Sequence, residues 1–266
     1  MTSVLAGLVQ RLDDANLSES KVIPWSCPIP SFGDISVSDV ATLGLNPSNR
    51  EFVDELGNEL DGSARRFETL KSLKLARWAD ADADHFGEIW QSCRDYFVRN
   101  PYDGWFKRLD QLLADTRASY YESSACHLDL VPYATSCKWT SLLPSQRASL
   151  LRASGDTLGS LLRASRIRVL VLNGASVILH FQTVFGVALE REVMRDWSLR
   201  RGNDSSVAGY AYKGYLKASS EVELDRQILV LGFNHNIQSS FGVTREVMGA
   251  IQRWIGDMAA EALSET

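Results

Sequence analysis

The chain has 266 residues, of which 45% are hydrophobic and 23% charged, a composition typical of a globular protein with a sizeable core. The formal net charge of -5 argues against a broad, non-specific coat on nucleic acid, but is compatible with a local basic strip on an acidic body. Four scattered cysteines without a Cys-x-x-Cys pair argue against structural zinc, an iron–sulfur cluster and a disulfide framework. With no charged-then-apolar leader and no long apolar run, we expect a cytoplasmic protein outside the membrane.

Apolar residues at helical spacing alternate along the chain with short apolar runs. The spacing predicts helices at residues 3–15, 63–75, 82–98, 103–116, 144–164, 176–185 and 243–263. The runs predict strands at residues 37–45, 124–131, 167–172 and 227–233. The third run, "IRVLVL", is typical of a strand buried on both faces of a parallel sheet. Residues 187–224 show no sustained period, and "GYAYKGYLKA" within them is interpreted as an exposed edge strand or lid, with a stacking strip for DNA as the alternative.

This alternation predicts an α/β fold in which a central four-stranded, mostly parallel sheet is flanked by helices. We expect residues 1–266 to form a single domain, because neither an internal repeat nor a linker is visible.

Polar side chains follow each of the four predicted strands. The first strand ends at Asn46, the second carries His127 and Asp129, the third ends at Asn173, and the fourth runs into "FNHNIQSS". Ligands of open α/β sheets bind outside the carboxyl ends of the strands. Four strand ends with amide, carboxylate or imidazole groups therefore predict a polar pocket.

Asn46 lies directly before Pro47 at the end of the first strand. Pro47 biases Asn46 toward an extended or turn conformation. The asparagine is thus expected to be rigid, with a side chain that both donates and accepts hydrogen bonds. Read alone, this pattern is also typical of an asparagine that caps a turn.

The segment "GLNPS" at residues 44–48 resembles the first motif of the uracil-DNA glycosylase superfamily. It is most similar to the Gly-x-Asn-Pro-Gly branches, the mismatch-specific and single-strand-selective enzymes, with Ser48 in place of the last glycine. "RRF" and "IRVLVLNG" resemble further stretches of these enzymes. "LGFNHNIQSSFG" occupies the place of the second motif but lacks its Pro-Ser.

The resemblance implies an enzyme that flips a nucleotide out of DNA and hydrolyses the bond between base and sugar, leaving an abasic site. Its partner would be DNA that contains a modified or damaged base. The chemistry requires no metal and no other cofactor. We expect the protein to act as a monomer.

Cleavage of such a bond builds positive charge on the sugar and negative charge on the base. The reaction needs a held water, donors for the base and a stacking surface. We predict that Asn46 holds the water and that Asp129 activates it or binds sugar hydroxyls. Two other interpretations of Asp129 stay open: a cap on the following turn, and a buried ion pair with His127, which lies on the same side of the strand.

The remaining candidates fall into two groups. The predicted base-binding residues, which donate to the base or stack on it, are Phe52, Tyr133, Asn234, His235 and Asn236. The predicted DNA-binding residues, cations and small polar groups near the strand ends, are Ser48, Arg50, Lys138, Gln238, Ser239 and Ser240. A helix that starts near residue 243 would offer its N-terminal amides to a phosphate.

The polar run "NHNIQSS" offers more hydrogen-bonding groups than a plain pyrimidine needs, and residues 50–63 are strongly acidic. Both features suit a hydroxyl-rich ligand. We therefore expect a bulky modified pyrimidine, such as the glycosylated hydroxymethylcytosine of phage DNA, and a role in antiphage defence. The alternatives are excision of uracil or hypoxanthine in base-excision repair, and a non-catalytic module that binds DNA or a nucleotide. An α/β hydrolase lacks support because no Gly-x-Ser-x-Gly elbow is present.

Overall fold

A six-stranded mixed sheet flanked by helices forms the centre of the protein, as seen in a computed structural model that describes residues 2–200, 205–218, 222–238 and 243–264. The strands are β1 (Val40–Gly44), β2 (Ala125–Asp129), β3 (Val169–Asn173), β4 (Glu190–Arg200), β5 (Ser206–Ala218) and β6 (Glu223–Phe233). The helices are α1 (Thr2–Arg11), α2 (Ala15–Glu19), α3 (Ala83–Arg94), α4 (Tyr96–Arg99), α5 (Asp103–Leu113), α6 (Pro144–Ser154), α7 (Thr157–Arg163), α8 (Ala175–Phe185) and α9 (Arg245–Ser264).

The order of the strands across the sheet is β2-β1-β3-β6-β5-β4. The first four are parallel to one another, whereas β5 and β4 run antiparallel. From β1 the chain moves to β2 on one side and then to β3 on the other, so the sheet changes winding direction at β1. The crevice outside such a switch point is where open α/β sheets bind ligands.

The predicted α/β class is confirmed, but the predicted number of strands is wrong. β4 and β5 extend the four parallel strands to six. "GYAYKGYLKA" belongs to β5, which lies between β6 and β4 and is not the edge strand. Most side chains of β4 are exposed, and such a strand carries no apolar run by which it could be found.

Residues 63–75 do not form the predicted α-helix. They contain the end of a 3-10 turn at Gly62–Ala64 and then irregular chain. Thr69 and Ser72 explain the difference, because the hydroxyl of each accepts a hydrogen bond from the backbone N–H of the other, at 3.1 and 2.8 Å. Such local bonds compete with a helix for the same backbone groups.

Buried apolar residues hold the sheet between its helices. All five residues of β1 are buried, and in register Leu43 lies beside Leu128 of β2 and Leu172 of β3. The same register places Gly44 beside Asp129, at the carboxyl ends of their strands. Within the described ranges, no helix is both long and apolar enough to cross a membrane.

Candidate functional site

A cleft of about 860 Å³ opens at the carboxyl ends of the four parallel strands. Its volume falls within the roughly 300–1,000 Å³ of small-molecule sites. The predicted residues that line it are Asn46, Ser48, Arg50, Asp129, Lys138, Asn234, Asn236 and Gln238. Residues far apart in sequence therefore meet at the switch point of the sheet.

The orientation of the Asn46 amide is determined by the hydrogen bonds that its nitrogen donates. Nδ2 donates to the backbone oxygens of Pro47 and Tyr133, at 3.1 and 3.4 Å, and to Thr135 Oγ1 at 3.0 Å. Because carbonyl oxygens only accept, the nitrogen has to face them, which settles the orientation of the amide. Asn46 Oδ1 accepts no hydrogen bond from any described residue, so it is free to accept one from a water.

Asp129 and His127 form a buried pair in the cleft. Asp129 Oδ1 lies 3.5 Å from His127 Nε2, and both side chains are almost wholly buried. His127 Nδ1 lies 2.6 Å from Thr42 Oγ1, which lies 2.5 Å from the hydroxyl of Tyr120. One proton arrangement satisfies all three: Tyr120 donates to Thr42, Thr42 donates to Nδ1, and the Nε2–H faces the carboxylate.

Gly44 leaves room for this pair. A Cβ at Gly44 would overlap Asp129 Oδ1 and would lie 3.0 Å from His127 Nε2. The backbone of Gly44 has no positive φ, so the glycine is needed for space and not for conformation. The glycine of "GLNPS" is thus explained by the carboxylate on the next strand.

Aromatic rings form part of the cleft wall, but they are not the predicted ones. Phe52 and Tyr133 are each only 1% exposed and do not line the cleft. Phe52 packs against Trp25 and Phe67, and the Tyr133 hydroxyl donates to the backbone oxygen of Leu8 at 2.9 Å. The stacking role expected of these two residues therefore has to be corrected.

Tyr102 and Trp105, at the start of α5, line the cleft instead, and Trp139 lines it from the loop after β2. Trp105 packs edge-on against His127, with the ring centres 5.0 Å apart. The helix that carries Trp105 was predicted from the sequence. Nothing in the sequence pattern indicated that the first turn of this helix faces the strand ends.

Two of the polar residues that follow β6, His235 and Asn234, have side chains that are hydrogen-bonded within the protein. His235 is buried outside the cleft, and its Nε2 lies 2.6 Å from the backbone oxygen of Trp197. Burial lowers the pKa of His235, and the hydrogen bond to Trp197 opposes that shift. Asn234 lines the cleft, but its amide is bonded to β5, to Tyr210 N and Ala208 O, each at 2.8 Å. Neither residue fits the base-binding role expected of it.

Asn173 and Gln238 form a pair of side-chain amides in the cleft. Asn173 Nδ2 donates to Gln238 Oε1 at 3.3 Å, which leaves Asn173 Oδ1 and Gln238 Nε2 buried without a partner among the described residues. Interchanging oxygen and nitrogen in both amides again leaves one free donor and one free acceptor. Either assignment therefore leaves one donor and one acceptor of the pair without a partner among the described residues.

Charged groups at the cleft are few. The guanidinium of Arg50 is turned toward its own loop, where it donates to Asp54 O and Glu55 Oε1, whereas Lys138 is exposed at the rim. Ser48 caps a short 3-10 turn by accepting from Arg50 N at 3.2 Å. Asn236 Oδ1 accepts from Gln238 N at 3.1 Å. Ser239 and Ser240 lie outside the described residues.

The helix N-terminus at the cleft belongs to α8, not to the helix predicted near residue 243. Asn173, Gly174, Ala175 and Ser176 line the cleft, and no side chain of the described residues caps this end of α8. The first N–H groups of a helix lack intrahelical partners and attract anions.

Glu51 is a further cleft residue that the sequence did not predict. It lines the cleft, is 3% exposed, and its Oε2 accepts from the Tyr96 hydroxyl at 2.7 Å. Burial raises the pKa of Glu51 to about 7, and the charge of Asp129 acts in the same direction. In the sequence Glu51 is one of several acids in an acidic loop, and only its burial distinguishes it.

No protein-family model matches this chain, and no curated protein matches it. The chemistry of the site therefore has to be argued from its own residues.

Proposed function

We propose that the protein is a monofunctional DNA glycosylase that flips a modified base out of DNA and hydrolyses its N-glycosidic bond. The observation that carries this proposal is the pairing of Asn46 and Asp129 in one cleft at the switch point of the sheet. The free oxygen of Asn46 is suited to hold a water, and Asp129 is suited to take a proton from it. The likeness of "GLNPS" to the first motif of the uracil-DNA glycosylases supports the same conclusion.

Other parts of the cleft suit a flipped nucleotide. Tyr102 and Trp105 provide aromatic surface on which a base can stack. The side-chain amides of Asn173 and Gln238 line the cleft as well, and amides suit the hydrogen-bonding edge of a pyrimidine. The N-terminus of α8 and Lys138 suit the flanking phosphates.

A bulky pyrimidine such as glycosylated hydroxymethylcytosine fits this cleft better than plain uracil does. A volume of about 860 Å³ exceeds what one pyrimidine ring fills, and the exposed amide of Asn236 suits sugar hydroxyls. Such bases occur in phage DNA, so we propose antiphage defence as the role. Excision of uracil or hypoxanthine in repair is the competing assignment.

The test is incubation of the protein with duplexes that each carry one candidate base. The bases are uracil, hypoxanthine, 5-hydroxymethylcytosine and its glucosylated form, and alkali cleavage reports abasic sites. We expect cleavage of the glucosylated duplex at the modified position. Cleavage of the uracil duplex alone would reject the modified-base assignment, and cleavage of none would reject the glycosylase.

A further inference from the structure

Two carboxyl groups face the same cleft in different surroundings. Asp129 ends β2 and has the imidazole of His127 at 3.5 Å. Glu51 is the last residue of the 3-10 turn that follows β1 and is buried, and no cationic side chain lies within ion-pair distance of it among the described residues. The two side chains are near enough for the charge of Asp129 to act on Glu51.

One oxygen of Glu51 is held and the other is left free. Oε2 accepts from the Tyr96 hydroxyl at 2.7 Å, and that hydroxyl accepts in turn from Tyr102 N at 3.0 Å. Oε1 has no hydrogen-bond partner among the described residues. A carboxyl group oriented in this way can carry a proton on Oε1 toward a ligand in the cleft.

Three groups act electrostatically on Glu51. They are the Tyr96 hydroxyl from α4, the guanidinium of Arg66 and the carboxylate of Asp129 from β2. Desolvation is the largest effect and raises the pKa of Glu51, Asp129 raises it further, and Tyr96 and Arg66 lower it. With a pKa of about 7, Glu51 holds its proton in a large share of molecules at neutral pH.

We propose, on the basis of the proposed glycosylase function, that Glu51 is the general acid that protonates the departing base, and that the cleft accordingly takes cytosine-type bases. Two carboxyl groups that face one cleft from different surroundings are the arrangement by which enzymes divide acid and base roles. Glu51 supplies a proton and Asp129 receives one.

The step balances without a further reactant. The C1′–N1 bond breaks and its electron pair stays with the base, while the proton of Glu51 moves to N3 of the ring. The oxygen of the water held by Asn46 forms a bond to C1′, and its proton moves to Asp129. The products are an abasic sugar and a neutral base, and proton exchange with solvent restores Glu51 and Asp129.

The leaving group explains why this acid favours cytosine-type bases. Uracil has an acidic ring N–H and leaves as a comparatively stable anion, so donors that stabilise negative charge are sufficient for it. The corresponding ring N–H of cytosine and of its 5-substituted forms is much less acidic, so these bases leave poorly unless they are protonated. An acid placed against the base has a large effect on them and a small effect on uracil.

The experiment compares the wild type with Glu51→Gln on two duplexes under single-turnover conditions. One contains glucosylated 5-hydroxymethylcytosine and the other 5-fluorouracil, whose anion leaves readily. The glutamine keeps the shape and the bond from Tyr96 but transfers no proton. We expect at least a ~100-fold loss on the glucosylated duplex and less than a ~3-fold loss on the fluorouracil duplex.

The pH profile is the second measurement. On the glucosylated duplex, the wild-type rate should fall about tenfold per pH unit above pH 7, because only the protonated acid is active. Glu51→Gln should lose this decline. The matched control is Glu68→Gln, the same change at a glutamate that is buried outside the cleft, which should keep both the rate and the profile.

The outcomes separate the two proposals. Equal losses on both duplexes, or an unchanged pH profile in Glu51→Gln, would overturn the general acid and leave the glycosylase standing. Wild-type release of uracil or hypoxanthine alone would likewise overturn the inference only. If the wild type released no base from any duplex, both proposals would fail.

Discussion

The nitrogen of Asn46 faces three acceptors, and this contact sets the direction of its oxygen. Pro47 restricts the backbone on one side, and Thr135 holds the amide from the loop after β2. Thr135 is itself fixed, because its hydroxyl donates to Cys137 O at 2.8 Å. A group held in this manner needs little reorganisation to bind a water, which is what preorganised catalysis requires.

At Gly44, we expect a single added methyl group to reduce catalysis strongly and to reduce the stability of the fold only moderately. Gly44→Ala would push Asp129 and His127 out of place, since the added Cβ overlaps the carboxylate. We expect base release to fall ~100-fold or more, with a loss of about 1–3 kcal/mol in the free energy of unfolding. Single-turnover rates and urea denaturation measure the two effects.

The control is Gly87→Ala on α3, where a Cβ meets nothing within 4 Å. It should leave the rate unchanged. A Gly44→Ala variant with the wild-type rate would contradict the account of the Asp129 and His127 pair.

The protonation of Glu51 should also affect how the free energy of unfolding depends on pH, and this can be measured without any substrate. Its pKa rises from 4.5 to about 7 on folding. The folded state thus holds the proton more tightly, and this contribution is complete below about pH 4.5 and lost as the pH rises through 7. Glu51→Gln removes the effect, so it should gain about 3 kcal/mol relative to the wild type between pH 4 and pH 8.

Urea denaturation of both proteins at several pH values checks this expectation. Glu88→Gln on α3, whose side chain is exposed, is the control and should give a difference that does not vary with pH. A flat difference for Glu51→Gln would mean that Glu51 is ionised at neutral pH.

At the scale of elements, Asn234 joins strand β5 to the end of β6. Its amide bonds Tyr210 N and Ala208 O, each at 2.8 Å. Asn234→Ala would leave both backbone groups without this partner, so we expect a loss of about 2 kcal/mol in the free energy of unfolding. Hydrogen exchange at the Tyr210 amide should become faster.

Asn236→Ala serves as the comparison, because the Asn236 side chain is exposed and its Oδ1 accepts only from Gln238 N among the described residues. Its stability should stay within about 0.5 kcal/mol of the wild type. If Asn234→Ala weakened DNA binding while stability was unchanged, Asn234 would bind the base as first predicted.

The parallel strands could be predicted because each is an apolar run that is buried on both faces. β1, whose five residues are all buried, is the plainest case. β4 was not predicted, and β5 was expected only as an exposed edge segment, since exposed residues dominate β4 and many in β5 are only partly buried, so neither shows a sustained period. Ser72 and Thr69 removed the helix expected at residues 63–75, through side-chain bonds that spacing does not reveal.

At the scale of the whole molecule, strand ends were the part of the site that the sequence could predict. Parallel strands end at one edge, so Asn46, Asp129 and Asn173 had to lie near one another. Glu51, Tyr102 and Trp105 were missed because their place in the cleft depends on how α5 and the loop after β1 pack. The role proposed for Glu51 depends on its burial, and burial is determined by the tertiary structure and cannot be read from the local sequence.

The dependence of the cleft on tertiary packing also explains why the aromatic residues of the cleft were predicted incorrectly. Phe52 and Tyr133 lie close to the first two strand ends in sequence, yet both side chains are buried in the core. Large rings near a predicted site are more often packed than exposed. Sequence distance from a strand end therefore does not predict which ring faces a ligand.

The most direct measurement compares turnover and DNA affinity in Asn46→Ala, using the duplex that the wild type cleaves. The account predicts a ~1,000-fold or larger loss of the single-turnover rate with a Kd within about threefold of the wild type, because Asn46 acts on the water and not on the DNA. Asn58→Ala, at an exposed position outside the cleft, should behave as the wild type. A parallel loss of rate and affinity, or an unchanged rate, would contradict the water-holding role of Asn46.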